Sequence, residues 1–120
     1  MDSYRSLVAW KRAHQALITT LQATDRAYHP RAASLFAQIR RAVISVEANI
    51  VEGYALNTAP LCRRHLRIAL GSAAEAECLV RAAGELGYLK PADSEELDGM
   101  FGAAMRALRG LMNSAPVTAP

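Results

Sequence analysis

The sequence predicts an all-α protein, an antiparallel up-down four-helix bundle, on three observations. Apolar residues recur at steps of three and four in four separate stretches, the spacing that puts side chains on one helix face. No stretch alternates apolar and polar residues between turn pairs such as Asn-Gly, so no strand is expected. The connections between stretches are short and carry proline or glycine, which makes successive helices antiparallel neighbours.

The first helix is expected from about Tyr4 to Ala27, with Leu7, Trp10, His14, Leu17, Leu21 and Thr24 as its stripe. Tyr28-His29-Pro30 ends it, because a residue before proline is pushed out of the helical region. The second runs from about Ala32 to Glu52 on Leu35, Ile39, Ala42, Val46 and Ile50, with Gly53 as a left-handed terminator. The third begins at Thr58, a fair N-cap, with Pro60 in the first turn where its missing N–H does no harm. Leu61, His65, Ile68, Ser72, Glu75, Leu79 and Leu86 form its face, and Gly87 closes it. The fourth starts between Pro91 and Ser94, where Asp93, Glu95 and Glu96 favour the positive end of the helix dipole. Its stripe is Leu97, Phe101, Ala104, Leu108 and Leu111. Residues 1–112 form the bundle on this reading, and 113–120, rich in small residues and proline, form a disordered tail.

The 120 residues make one domain's worth of chain, and 21% charged residues against 52% hydrophobic ones exclude general disorder. The longest uncharged internal run, Ala13 to Thr24, is 12 residues and too polar to span a bilayer. No basic-then-apolar opening marks a signal peptide, so a cytoplasmic protein is expected. Cys62 and Cys78 lie 16 residues apart, roughly 24 Å along one helix, too far for a disulfide; both are expected to be small buried hydrophobes.

The second helix also carries Phe36, Ala37, Val43, Ile44, Ala48 and Val51 opposite its stripe, with only Arg40 and Glu47 interrupting. A helix apolar nearly all round must be buried nearly all round, which predicts a homo-oligomer with this helix at the contact. Gly99, Ala103 and Gly110 on the fourth helix would allow a second close approach.

Gln38, Arg41, Ser45, Asn49 and Glu52 step by three and four residues and fall within an arc of roughly 80°. Bordering the apolar stripe, they need partners. In a hairpin hinged near Asn57, Arg41 lies opposite Ser72 and Glu75, and Asn49 lies near His65. An Arg41–Glu75 ion pair, or one bridged through Ser72, is expected, with Gly71 allowing close approach of the helices.

The string Gln38-Ile39-Arg40-Arg41-Ala42, with Ser45, Asn49-Ile50 and Glu52-Gly53, resembles the signature of bacterial four-helix-bundle proteins encoded in intervening sequences of 23S rRNA genes. Ile68-Ala69-Leu70-Gly71-Ser72 with Glu75, the Leu7-Val8-Ala9-Trp10-Lys11 opening and Leu86-Gly87-Tyr88-Leu89 fit the same family, over roughly residues 4–112. Cys62 and His65 depart from the bulky residues more usual there. The resemblance implies a small cytosolic protein that assembles as a homopentameric ring. That family is distantly related to accessory proteins of diversity-generating retroelements, which bind nucleic acid and a reverse transcriptase.

No chemistry-bearing pattern points to an enzyme. The Glu-x-x-His pairs of di-iron bundles are missing, and His14, His29 and His65 fall on different segments without metal-ligand spacing. No nucleophile elbow, Walker-type loop or dinucleotide fingerprint occurs. No catalytic residue, metal or cofactor is expected, and the polar stripe is read as a structural network.

Net charge is +3 but uneven: residues 1–67 carry +6 and residues 68–120 carry −3. Lys11, Arg12, Arg40, Arg63, Arg67 and Arg81 are the candidate phosphate contacts, opposed by Glu77 and Glu85 as possible pairing partners on the third helix. Three readings stay open. The chain is an oligomer that binds structured RNA or DNA through charge. It is a protein-interaction scaffold or accessory subunit that binds none. Or it holds a small ligand in a pocket of Gln38, Arg41, Asn49, Glu52 and Glu75.

Overall fold

The structure, a computed structural model, describes residues 4–56 and 58–114. Four helices account for most of these residues: α1 Val8–Arg26, α2 Ala33–Leu56, α3 Ala59–Glu85 and α4 Pro91–Ser114. No strand occurs among the described residues. The helices pack in cyclic order, α1 on α2, α2 on α3, α3 on α4 and α4 back on α1, into a rod of 49 × 20 × 20 Å. Late residues of each helix meet early residues of the next. Thr24 bonds Arg40, Asn49 bonds His65, and Arg81 bonds Asp98. The up-down alternation follows from those pairs.

The turns obey local chemistry. His29 is extended (φ −152°, ψ 144°) before Pro30, and residues Pro30–Ala32 make one 3₁₀ turn into α2. Gly87, at φ +77°, ends α3 in a Schellman motif, with Gly87 N–H bonded to Gly84 O at 3.1 Å and Tyr88 N–H to Ala83 O at 2.8 Å. Two boundaries differ from expectation. Tyr4–Ser6 form a separate 3₁₀ turn, and Leu7 is extended before α1 begins. Gly53 does not end α2, which continues to Leu56. Thr58 occupies the N-cap of α3 in extended conformation, but its side chain caps nothing. Asn113 and Ser114 continue α4, and the rest of the expected tail lies outside the described residues.

The core faces of α1 and α3 are each displaced by one residue from the predicted stripes. On α1 the buried set is Ala9, Ala13, Ala16, Thr20, Ala23 and Thr24. On α3 it is Cys62, Leu66, Ala69, Ala73, Ala76, Val80 and Ala83. Leu61, Ile68 and Leu86, predicted inward, are exposed. Alanines face the axis because they let helix backbones approach closely, while α2 and α4, with Leu66 and Val80 of α3, supply the bulk: Phe36, Ile39, Val43, Ile50, Leu97, Phe101 and Leu108. Phe36 and Val43 therefore lie in the protomer's own core and do not form the outer face expected of α2. Of that set Ile44 stays half exposed, and Ala37, Ala48 and Val51 are partly buried.

Candidate functional site

The predicted polar stripe lies along the α2–α3 seam as two connected groups. In the first, Gln38 Nε2 donates to Glu75 Oε2 at 2.6 Å, and Arg41 donates to Gln38 Oε1 at 2.7 and 3.2 Å. The expected Arg41–Glu75 ion pair is absent. Gln38 bridges the two, not Ser72, because Arg41 and Glu75 are both exposed and the shorter amide sits between them. In the second group the Ser45 and Ser72 hydroxyls bond at 2.8 Å. Asn49 Nδ2 donates to Ser45 O at 2.9 Å and Ser45 Oγ at 3.1 Å, and Asn49 Oδ1 meets His65 Nδ1 at 2.8 Å, as the hairpin register predicted. Glu52 stands 3.7 Å from the same His65 nitrogen, mostly in solvent.

Gly71 plays no part in this approach, since a Cβ there would meet open space. The close contact falls at Gly53, where a Cβ would lie 3.1 Å from His65 Cβ and 3.3 Å from Cys62 O. Beneath it, burial and then the nearby Cys62 push the Tyr54 phenol up, and burial pushes the Cys62 thiol up. Cys78, expected to be buried, is exposed on the same helix. Three of the seam's hydrogen bonds, Gln38–Glu75, Ser45–Ser72 and Asn49–His65, join α2 to α3. Among the described residues no three His, Cys, Asp or Glu side chains converge on one point.

A second polar group went unpredicted. Glu47, near the middle of α2, accepts from Trp10 Nε1 at 2.9 Å and lies 3.0–3.1 Å from His14 Nδ1, with Trp10 stacked on His14 at 4.9 Å between ring centroids. Its sequence signal was a lone acid in an apolar helix opposite an i, i+4 pair of polar rings. Glu47 therefore explains one of the interruptions of α2: it docks α1.

The six candidate phosphate contacts separate into two classes. Arg40 is engaged: it donates to Thr24 Oγ1 at 3.0 Å and to the Asp25 carboxylate, which spends its charge on the α1–α2 seam. Arg81 is engaged too, donating to Asp98 at 3.1 Å. That bond, and then the charges of Asp98, Glu77 and Glu85, push its pKa above the ordinary arginine value. Lys11, Arg12, Arg63 and Arg67 remain exposed without ion pairs, on two separate helices. Arg63 and Arg67 share one shallow depression with Pro60, Ile68 and Arg64, the last not among the predicted contacts. Arg12 lies apart, with Gln15 and Glu96 between α1 and α4.

The family model described as 23S rRNA-intervening sequence protein matches residues 5–110. The chain belongs to that family. The match runs from the first 3₁₀ turn nearly to the end of α4, so three helices and most of the fourth of this 23S rRNA-intervening sequence protein, with both polar seams, lie inside it. No curated protein matches the chain. None of the described helices is long and apolar enough to cross a membrane.

Proposed function

We propose that this protein is a non-enzymatic, cytoplasmic homo-oligomer, a pentameric ring by family resemblance, that binds structured nucleic acid through the basic face of α3. The observation that carries the reading is the group Arg63, Arg64 and Arg67: three exposed guanidinium groups around one depression, none of them paired with an acid. Unpaired cations at that density attract a phosphate backbone, and repetition around a ring multiplies weak contacts. Arg40 and Arg81 fall out of the candidate set, because acid partners already hold them. Ile44, half exposed on α2, supports the oligomer by leaving apolar surface to cover.

Leu61 and Ile68 support the alternative, a protein-interaction scaffold. Both are about two-fifths exposed on α3, and Ile68 lines the same depression as the arginines. Titrating labelled duplex DNA and a structured RNA at about 50 and 200 mM salt separates the two. Nucleic-acid binding predicts a steep salt slope that shrinks by about 0.9 on duplex DNA for each phosphate contact removed in the Arg63→Ala/Arg64→Ala/Arg67→Ala variant. Binding absent at the lower salt, or unchanged in the variant, leaves the scaffold. Light scattering that finds a 13.0 kDa species at micromolar concentration refutes the oligomer.

A further inference from the structure

One end of the rod carries a groove between the α1–α2 turn and the α3–α4 turn. Tyr28, His29, Arg31, Tyr88, Lys90 and Arg26 line it, and no described residue in its lining is acidic. Arg26 has one long contact to Asp93 at 3.8 Å; Arg31 and Lys90 have no acid partner. Tyr28 is 61% exposed, the most exposed of the large hydrophobic side chains described. Arg31 lies over the Tyr88 ring, 5.9 Å from its centroid. Cations and aromatic faces therefore share one concave surface, which the α3 depression does not offer: it has arginines but no ring.

Both turns are held in place before any ligand arrives. Arg31 N–H bonds His29 Nδ1 at 3.2 Å, and Ala32 N–H bonds His29 O at 2.8 Å, fixing the first turn around Pro30. The Schellman bonds fix the second, and Leu89 beside Tyr88 is buried in the core. Ordered turns spare the entropy that a mobile loop loses on binding.

We propose that this groove binds a nucleotide unit, its base stacked on the Tyr28 ring and its phosphate held by Arg31 and Lys90. Every base presents a π-face to an aromatic side chain, and a guanidinium with an ammonium beside it neutralises phosphate without reading sequence. The unit comes either from an unpaired stretch of a nucleic-acid strand or from a free mononucleotide. The site is separate from the α3 face and does not rest on the duplex-binding reading. An unpaired nucleotide exposes the faces that a duplex keeps stacked.

The test uses the intact oligomer and a labelled single-stranded uridine homopolymer, followed by fluorescence anisotropy at about 50 mM salt. Tyr28→Ala is expected to weaken binding about tenfold, the size of one lost base–aromatic stack. Tyr28→Phe, which keeps the ring, is expected to bind as the parent does. Arg31→Gln is expected to lower the salt slope by about 0.7, one phosphate on a single strand. Arg63→Ala/Arg67→Ala is expected to weaken duplex binding and leave the Tyr28 effect intact. Displacement of the strand by millimolar adenosine 5′-monophosphate, lost in Tyr28→Ala, supports the site with a free nucleotide as its source. Strand binding that resists such displacement but still falls in Tyr28→Ala assigns it to the strand. The proposal is overturned if neither probe binds, or if strand affinity is the same in Tyr28→Ala and the parent. The exposure of Tyr28 leaves the core untouched by these variants, and a circular-dichroism melt checks that each is folded.

Discussion

Two glycines on facing helices give opposite responses to the same substitution. Inside a helix, glycine to alanine gains about 1 kcal/mol from backbone entropy when the new methyl is accommodated. Gly71 meets that condition: it is exposed on α3, with nothing within 4 Å of an added Cβ. Gly71→Ala is expected to stabilise by about 0.4–1 kcal/mol. At Gly53 the added Cβ would stand 3.1 Å from His65 Cβ, 3.3 Å from Cys62 O and 3.5 Å from Cys62 Cα. Two of those atoms are α3 backbone, which can yield only if the helix shifts. Overpacking of that kind costs about 1–3 kcal/mol and outweighs the helix gain. Gly53→Ala is expected to destabilise by about 1 kcal/mol net. At roughly 4 °C per kcal/mol for a chain of this size, the two variants should melt several degrees apart, on opposite sides of the parent. The assay is thermal unfolding by circular dichroism at one fixed protomer concentration, since association shifts apparent stability. A Gly53→Ala melt at or above the parent's refutes the close α2–α3 approach. A Gly71→Ala melt below it refutes the free space on α3.

Along the same seam, Asn49→Ala should cost about 1–2 kcal/mol by stranding part-buried partners on Ser45 and His65. Arg41→Ala should stay within about 0.5 kcal/mol, because Arg41 is exposed and bonds only Gln38. Urea unfolding of both variants checks the order, and equal losses would contradict it. In the folded protein iodoacetamide should modify Cys78 and spare Cys62. Cys62 is 6% exposed, and burial raises its pKa, so less thiolate is present at neutral pH. Peptide mass mapping before and after urea reads this directly; early labelling of Cys62 would mean that the α2–α3 end opens.

Much of the candidate site could be read from residue spacing alone. Gln38, Ser45 and Asn49 fall on one arc of α2, and the hairpin register brings them to Glu75, Ser72 and His65. What the register left open was which side chain reaches which. Arg41 is long enough for Glu75, yet Gln38 bonds both, and a few ångströms of side-chain reach decide that. The same limit hid the fate of the cations. Arg40 and Arg63 look alike in sequence, but Asp25 across a helix seam captures the first, and no acid faces the second.

The sequence by itself determined the four helices, their order and the turns at Pro30 and Gly87, because helix periodicity, the residue before Pro30 and the positive φ of Gly87 are local properties. It determined the core of α4 and, in Ile39, Ala42, Val46 and Ile50, part of that of α2, while the burial of Phe36 and Val43 came only with the tertiary structure. Only the tertiary structure decided the buried faces of α1 and α3. There alanines, joined on α3 by Leu66 and Val80, lie innermost and Leu61, Ile68 and Leu86 are turned outward, since close approach of neighbouring helix axes favours small residues at most contact positions. The structure likewise gathered Tyr28 and Arg31 from one turn and Tyr88 and Lys90 from the other into a single groove. About 57 residues of chain separate those turns, and only the antiparallel packing of α1 to α4 closes that gap.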